Sequence, residues 1–478
     1  MPKQTRRTFL KTTAAGALFS SFAISGTKAS GRVIGANDTI RIGVAGINGR
    51  GQSHIKEFAG RVNVQVTYLI DPDRRLFESR SEQVSSRGGN TPKCVQDIRE
   101  ALDDKSLDVI SIATCNHWHS LMTVWACQAE KDVYVEKPLS HNIYEGRKAV
   151  EAARKYGRIV QHGTQQRSSL GRAKEIVAVQ SDKYGKLLVS KGYCCKPRWS
   201  IGVQSPETPP ADLDFNLWLG PAPKTSYHRN LVPYNWHWFW PTGNGDIGNQ
   251  GVHEMDVARW AIKGGGMPNS VWSLGGRFGY KDQGQTPNTQ LAVFDYGEAL
   301  LLFEVRGLVE TGTGVPRIVA NEYYTDEGMI TRGKFYPKGS KEGQPLDDLG
   351  GSVHPDGPFG NFLNAVRSRN VDELNADLEK GHFSSALCHL ANISYRLGED
   401  ARLGANERYS DGNAVVAGGL DALKNNLAKI GMKPEASVFQ VGRKLKFDAK
   451  NEKFSGDPTV NAMLTRRYRE PFVVPETV

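Results

Sequence analysis

The chain has few cysteines for its length, six in 478 residues, and no CxxC pair. That excludes a recognisable zinc or thioredoxin-like motif. Cys94, Cys115, Cys127, Cys194, Cys195 and Cys388 read instead as buried small apolar side chains. None of them falls in residues 1–29, which argues against a lipid-anchored lipoprotein. The apolar run near the start is much shorter than the ~20 residues that cross a bilayer, so no stable membrane anchor is expected. Acids are missing from residues 1–29, where Lys3, Arg6, Arg7, Lys11 and Lys28 supply half of the formal net charge of +10. Beyond them the one compact basic cluster is Arg466-Arg467-Tyr468-Arg469, which reads as solvated or ion-paired surface. No nucleic-acid partner is therefore expected. Internal repeats and low-complexity tracts are also missing.

What is present begins with the leader. Thr5-Arg6-Arg7-Thr8-Phe9-Leu10-Lys11 precedes a mildly apolar stretch and then Gly26-Thr27-Lys28-Ala29. A charged region, a short apolar region and a small-residue cleavage site make an export signal. The paired arginines before Phe9-Leu10 resemble a twin-arginine signal, which implies the twin-arginine translocation machinery as a partner and a periplasmic or extracellular destination. Such cargo folds in the reducing cytoplasm and needs no disulfides. Residues 30–38 read as a linker.

From Thr39 the pattern alternates. Strand-like runs at 40–45, 64–70, 109–113 and 133–136 are separated by helix-like runs at 51–58, 74–83, 119–130 and 144–156. This predicts an α/β fold with an N-terminal doubly wound parallel sheet of Rossmann type over 39–167. After Arg167 the rhythm changes. Long β-rich runs at 187–195, 271–277, 291–294 and 300–305 accompany helical patterns at 246–262, 358–369, 379–397 and 418–430. Residues 168–442 thus read as a second, substrate-binding α/β domain with a large open, mainly antiparallel sheet. Residues 443–478 read as a tail that wraps over the body.

The first strand runs into Gly46-Ile47-Asn48-Gly49-Arg50-Gly51 and then a helix. Glycines let a backbone approach a pyrophosphate, and a helix N-terminus offers free N–H groups. Asn48 occupies the usual second glycine; asparagine tolerates positive φ better than most residues. The second strand ends at Asp71, placed to accept from a ribose 2′-OH and to repel a 2′-phosphate. NAD is favoured, with NADP kept open by Arg74 and Arg75. An exported enzyme has no obvious external pool of free cofactor, so the dinucleotide is expected to be loaded before export, held tightly and recycled.

Thr114-Cys115-Asn116-His117-Trp118-His119 and Glu136-Lys137-Pro138 each follow a strand, at the carboxyl edge where ligands bind in open α/β folds. Asn249-Gln250-Gly251-Val252-His253-Glu254-Met255-Asp256 comes later. Together these segments resemble the Gfo/Idh/MocA oxidoreductases over nearly the whole chain beyond the leader. The resemblance implies a nicotinamide cofactor, Lys137 and His253 as catalytic residues, and a homo-oligomer. The residues fit the chemistry independently: oxidising a carbinol requires a proton acceptor, and an ammonium beside the oxygen stabilises the alkoxide. On a helix, Asn249, His253, Asp256 and Trp260 share one face, while Val252, Met255, Ala258 and Ile262 share an apolar one. Asn249 and Asp256 join the candidate catalytic set. Asn249 stands where the family usually has aspartate, which leaves the proton route open; Asp246 is a nearby substitute.

Gly46 to Gly51, Asp71, Thr114, Asn116, His117, His119, Glu136 and Lys137 are the candidate cofactor-binding residues. His117 and His119 lack a third ligand at suggestive spacing, so no metal is expected. The aromatic run Tyr234 to Trp240, read as a strand with alternate rings on one face, offers Trp236, Trp238 and Trp240 for a sugar. Arg167 is a further substrate-binding candidate, and His237 or Tyr193 a second acid or base. Three functions remain open at this point. They are an NAD(P)-dependent oxidoreductase of a sugar or polyol, a glycoside hydrolase or lyase working through transient oxidation, and a non-catalytic sugar-binding protein on a Rossmann scaffold.

Overall fold

A computed structural model describes residues 38–309, 314–403 and 407–478. The leader, the cleavage site and most of the linker lie outside the described residues.

Six strands form the first sheet: β1 (Ile40–Ala45), β2 (Val64–Ile70), β3 (Lys93–Val95), β4 (Val109–Ile112), β5 (Asp132–Val135) and β6 (Val160–His162). Their order is β3-β2-β1-β4-β5-β6 and every pairing is parallel. That is the doubly wound arrangement, with its switch point between β1 and β4. All four residues of β4 and of β5 are buried, as a sheet covered by helices on both faces requires, and the one charged residue among them, Asp132, is paired with Arg369. The edge strands β3 and β6 have only three residues each, too short to register as a sequence pattern.

The second sheet is mixed and mostly antiparallel. Its centre is β7 (Leu187–Cys195), β8 (Ser270–Gly276), β9 (Thr289–Asp295), β10 (Leu300–Arg306) and β11 (Ile318–Thr325), in the order β11-β7-β10-β9-β8. Only β7 and β10 run parallel within that set. The hairpin strands Gly328–Thr331 and Lys334–Pro337 extend it beyond β11. Leu445–Asp448, in the region expected to wrap over the body as a tail, pairs with β8.

Two helices tie the layers together. Gly357–Ser368 lies late in the chain but inserts Phe359, Phe362 and Val366 into the first domain's core beside Ile42, Val44 and Tyr134. Leu378–Arg396 places Leu378 in the first domain and Ala386, Leu387 and Leu390 in the second. The aromatic run does not form the expected strand. Asn235–Trp238 is a single 3₁₀ turn, so alternate rings do not share a face.

Candidate active site

The carboxyl edge of the first sheet opens into a cavity of about 440 Å³, ordinary for a small-molecule site. Its floor is the β1–helix turn. Gly46 has φ +79°, and a Cβ there would meet the Ala113 carbonyl at 2.6 Å. The Gly46 amide instead donates to Ile70 O at 2.8 Å. Gly49 has φ −78°, and its Cβ position has no neighbour within 4 Å. Asn48 is not among the residues with positive φ, so the turn makes no unusual demand at that position. The helix Arg50–Phe58 begins without a side-chain cap and without an acid in its first turn. Gly49 and Arg50 at its start line the cavity, where an anion is stabilised.

Asp71 also lines the cavity, with Oδ2 accepting from Ile47 N at 2.9 Å and Oδ1 from Asp73 N at 3.0 Å. Burial, partly offset by those bonds, pushes its pKa up to about 6. Each oxygen retains a lone pair for a ribose hydroxyl. The neighbouring arginines are engaged: Arg75 with Asp73 at 2.6 Å, Arg74 with Gln96 at 2.7 Å. An open glycine turn, an uncapped helix start and a buried carboxylate fit NAD.

At the other end stands Lys137, delivered by β5. Its ammonium donates to the Asn249 carbonyl oxygen at 2.5 Å. Burial lowers its pKa below the ordinary lysine value, against the opposing charge of Glu136. Glu136 Oε1 accepts from Arg50 Nε at 2.7 Å and from Gln165 at 3.1 Å, and lies 3.1 Å from His54 Nε2. Burial alone would raise that carboxyl; the His54 bond and the Arg50 charge outweigh it and hold it well below the usual range.

His253 reaches the same cavity from the helix Gly251–Ala261 of the second domain. No hydrogen-bond partner for its ring is found among the described residues. Burial and then the Lys137 charge lower its pKa to about 3, which keeps the imidazole neutral. Asn249 lines the cavity too, but from the preceding short helix Gly245–Asn249. The helical axis breaks at Gln250, while Val252, Met255, Ala258 and Ile262 face the core as expected.

Not every candidate reaches the cavity. Gly46, Asn48, Gly49, Arg50, Asp71, Thr114, Asn116, His119, Glu136 and Lys137 line it; Ile47, Gly51 and His117 do not. Gly51 packs so closely that a Cβ would sit 1.8 Å from Gly46 O. His117 lies between the Thr242 and Trp218 carbonyls, at 3.3 and 3.0 Å. Asp256 and Arg167 are also displaced from their expected roles. They form a buried ion pair at 2.9 Å, joined by Ser384 at 2.6 Å and Arg259 at 3.6 Å, with Trp260 under the Arg167 guanidinium at 4.9 Å. Asp246 is likewise consumed, by Arg198 at 2.6 Å.

Of the three tryptophans, only Trp236 lines the cavity. Trp238 lies beneath Arg198, and Trp240 beneath Arg396. His237 does line it, stacked on Trp236 with ring centroids 3.6 Å apart. Its Nδ1 is 2.7 Å from the Tyr234 carbonyl, which accepts only, so Nδ1 carries the proton and Nε2 is an acceptor. Tyr193 is remote, donating to Glu322 at 3.1 Å. Cys115, read as a core residue, lines the cavity.

Apart from Tyr234 in the aromatic run, no pattern in the sequence marks the roof. Leu213, Leu217, Trp218, Val232, Pro233 and Tyr234, all from the segment between β7 and His253, close the cavity over the first sheet. Their spacing has no period, because the segment is mostly irregular.

Comparison with known proteins agrees with this architecture. A family model described as "Oxidoreductase family, NAD-binding Rossmann fold" matches residues 40–164, and one described as "Oxidoreductase family, C-terminal alpha/beta domain" matches residues 185–271. A Glycosyl hydrolase family 109 protein of Shewanella pealeana is 28% identical over 169 residues, 32% of this chain and 37% of that protein. Inositol 2-dehydrogenase of Salmonella typhimurium is 28% identical over 156 residues, 32% of this chain and 45% of that protein. The chain thus spans less than half the length of these curated relatives. Among solved structures, the WlbA dehydrogenase of Bordetella pertussis, in complex with NADH and UDP-GlcNAcA, superposes with a TM-score of 0.56 at 16% identity, covering 75% of this chain and 97% of that one. Levoglucosan dehydrogenase in complex with NADH gives 0.54 at 15% identity, covering 74% and 96%. At such identities the likeness is one of fold.

Proposed function

Since the chain belongs to the Gfo/Idh/MocA family of oxidoreductases, we propose that it is an exported, NAD-dependent enzyme that oxidises a carbinol of a sugar or polyol and keeps its cofactor between turnovers. The observation that carries this reading is the meeting of Lys137 and His253, from different domains, on the cavity floored by the Gly46 turn. Bound NAD supplies the hydride acceptor.

The chain's own residues do the rest. The glycine turn and the start of the Arg50–Phe58 helix hold the pyrophosphate, and Asp71 holds the adenosine ribose. The Lys137 ammonium donates to the substrate hydroxyl oxygen and stabilises the charge that grows there as its proton leaves. The neutral His253 ring accepts that proton. Arg50, His54 and Gln165 fix Glu136, and the Glu136 charge opposes the lowering of the Lys137 pKa by burial. The Trp236 and His237 rings offer flat faces to the C–H groups of a sugar.

Denaturing the purified protein and assaying the supernatant for nicotinamide tests cofactor retention. A substrate screen on protein that keeps its own cofactor tests the oxidation. A preparation that neither carries nor binds NAD would leave only the sugar-binding reading.

A second reading has two observations in its favour. Asn249, whose main-chain oxygen holds Lys137 and whose amide donates to Tyr234 Oη, is neutral where the family usually has an acid, and His237 brings a second neutral imidazole to the cavity. A glycoside hydrolase or lyase working by transient oxidation needs a second base, for the C–H beside the carbonyl. Bound NAD, no turnover of added NAD, and release of a sugar would identify it.

A further inference from the structure

The roof of the cavity is held from two sides. On one side it grips the loop after β2. Arg74 N donates to Asp212 O at 3.0 Å and Asp214 N to Pro72 O at 2.9 Å. Trp118 Nε1 donates to the Leu217 and Trp218 carbonyls at 3.0 and 3.1 Å. These contacts lay the short helix Phe215–Leu219 over the apolar end of the cavity, opposite Ile70, Ile98 and Met122.

The other side is held by the C-terminal tail. Arg469 Nε donates to Gly220 O at 3.1 Å, Nη2 to Asn216 O at 2.8 Å and Nη1 to Asn216 Oδ1 at 2.5 Å. Two of these acceptors are main-chain carbonyls, at Asn216 and just past the end of the roof helix at Gly220. Asn216 O already accepts from Gly220 N at 3.1 Å and offers the guanidinium fork its second lone pair, while Gly220 O lies past the helix end. Phe472 lies 4.9 Å from that guanidinium and meets Trp118 edge-on at 5.4 Å. It therefore supports the same tryptophan that holds Leu217. Arg466 anchors the strap: it donates to Pro241 O at 3.0 Å and His117 O at 3.3 Å and lies 3.1 Å from the Glu145 carboxylate. Beyond Phe472 the chain runs on to Val478, whose carbonyl accepts from Lys155.

We propose that Arg469, anchored through Arg466, is a positioning residue that latches the 212–220 roof shut over the dinucleotide and so sets how slowly the cofactor leaves. This rests on the reading of a resident NAD. A dinucleotide seated under Leu213, Leu217 and Trp218 cannot withdraw sideways without lifting that helix. Lifting it breaks every Arg469 bond at once. Nothing in the latch touches the Lys137 end, so its loss acts on cofactor exchange rather than on the chemical step.

The test uses the full chain loaded with labelled NAD and chased with unlabelled NAD. Arg469→Ala is expected to speed release by about tenfold, the usual route by which interface changes alter affinity. Arg469→Lys should restore retention in part, since it returns the charge but not the fork. Hydrogen–deuterium exchange of residues 212–220 is followed in parallel without cofactor and should accelerate in Arg469→Ala and Arg466→Ala. Unchanged release together with unchanged exchange in both variants overturns the latch. If the unmutated protein loses its label at once, the resident-cofactor reading fails; the exchange of residues 212–220 then still decides the latch by itself.

Discussion

The Lys137 ammonium donates to the main-chain oxygen of Asn249, and no carboxylate lies within ion-pair distance of it among the described residues. The cation at the centre of the site is therefore held without being neutralised there. Its charge remains available to a substrate oxygen, and the adjacent imidazole stays unprotonated. This pairing governs how the site responds to substitution.

Lys137→Met should remove the donor to the alkoxide while keeping most of the side-chain volume. Substrate-dependent reduction of bound NAD should fall by roughly 10²–10³-fold, the scale for losing one preorganised donor. Retention of NAD, measured after denaturation, should persist. Stopped-flow absorbance at the reduced nicotinamide band is the check, and undiminished reduction would remove Lys137 from the reaction.

Asn249→Asp puts a carboxylate on the residue whose main-chain oxygen holds Lys137, in the cavity that His253 also lines. A negative charge favours the protonated imidazole, so the His253 pKa rises from about 3. The acid limb of the pH–rate profile should move to higher pH, while His253→Gln should lower the rate at every pH by roughly 10²–10⁴-fold. An unmoved acid limb in Asn249→Asp would show that the titrating base is another group.

Gly46→Ala and Gly49→Ala should separate folding from binding. The first forces a Cβ into the Ala113 carbonyl at positive φ and should destabilise the fold. The second meets no protein atom, so the thermal midpoint should hold while NAD affinity drops about tenfold or more. Calorimetry of binding beside thermal melts distinguishes them.

Asp256→Ala should act on stability. It strands Arg167 and Arg259 in the interior, and breaking a buried pair costs about 3–5 kcal/mol. A large fall in the urea midpoint is expected. A normal midpoint with lost activity would return Asp256 to the catalytic set.

Acid should unfold the protein early. His117, His237, His253 and His389 have pKa values lowered to about 3 and His162 to about 4, chiefly by burial. Between those values and the unfolded value near 6.5, the unfolded chain binds protons that the native state does not. Stability therefore rises with pH across that window and is lost as pH falls, by at most ~1.4 kcal/mol per pH unit for each group. Asp71 and Glu254, raised to about 6 and about 7 by burial, work the other way below those values but are outnumbered. Thermal midpoints from pH 7 to pH 4.5 should drop steadily; a flat profile would show that these rings are accessible to protons in the native state.

By itself the sequence determined the parallel first sheet, the glycine turn, Asp71, and the triplet at Glu136-Lys137-Pro138, because each depends on short-range periodicity or on a local backbone requirement. His253 and Asn249 were legible through the family resemblance and helical spacing, although the two fall on separate helices that meet at Gln250. Which side chains actually face the ligand was decided elsewhere. Asp256 shares the His253 face, yet Arg167 from the other domain claims it. Trp238 and Trp240 lie turned away because a 3₁₀ turn replaces the expected strand. The Gly357–Ser368 helix joins a core laid down some three hundred residues earlier, and Arg469 reaches Asn216 across 253 positions. Such contacts carry no local pattern: they arise when buried charges find partners and main-chain carbonyls find further donors, and those partners meet only once the chain has closed on itself.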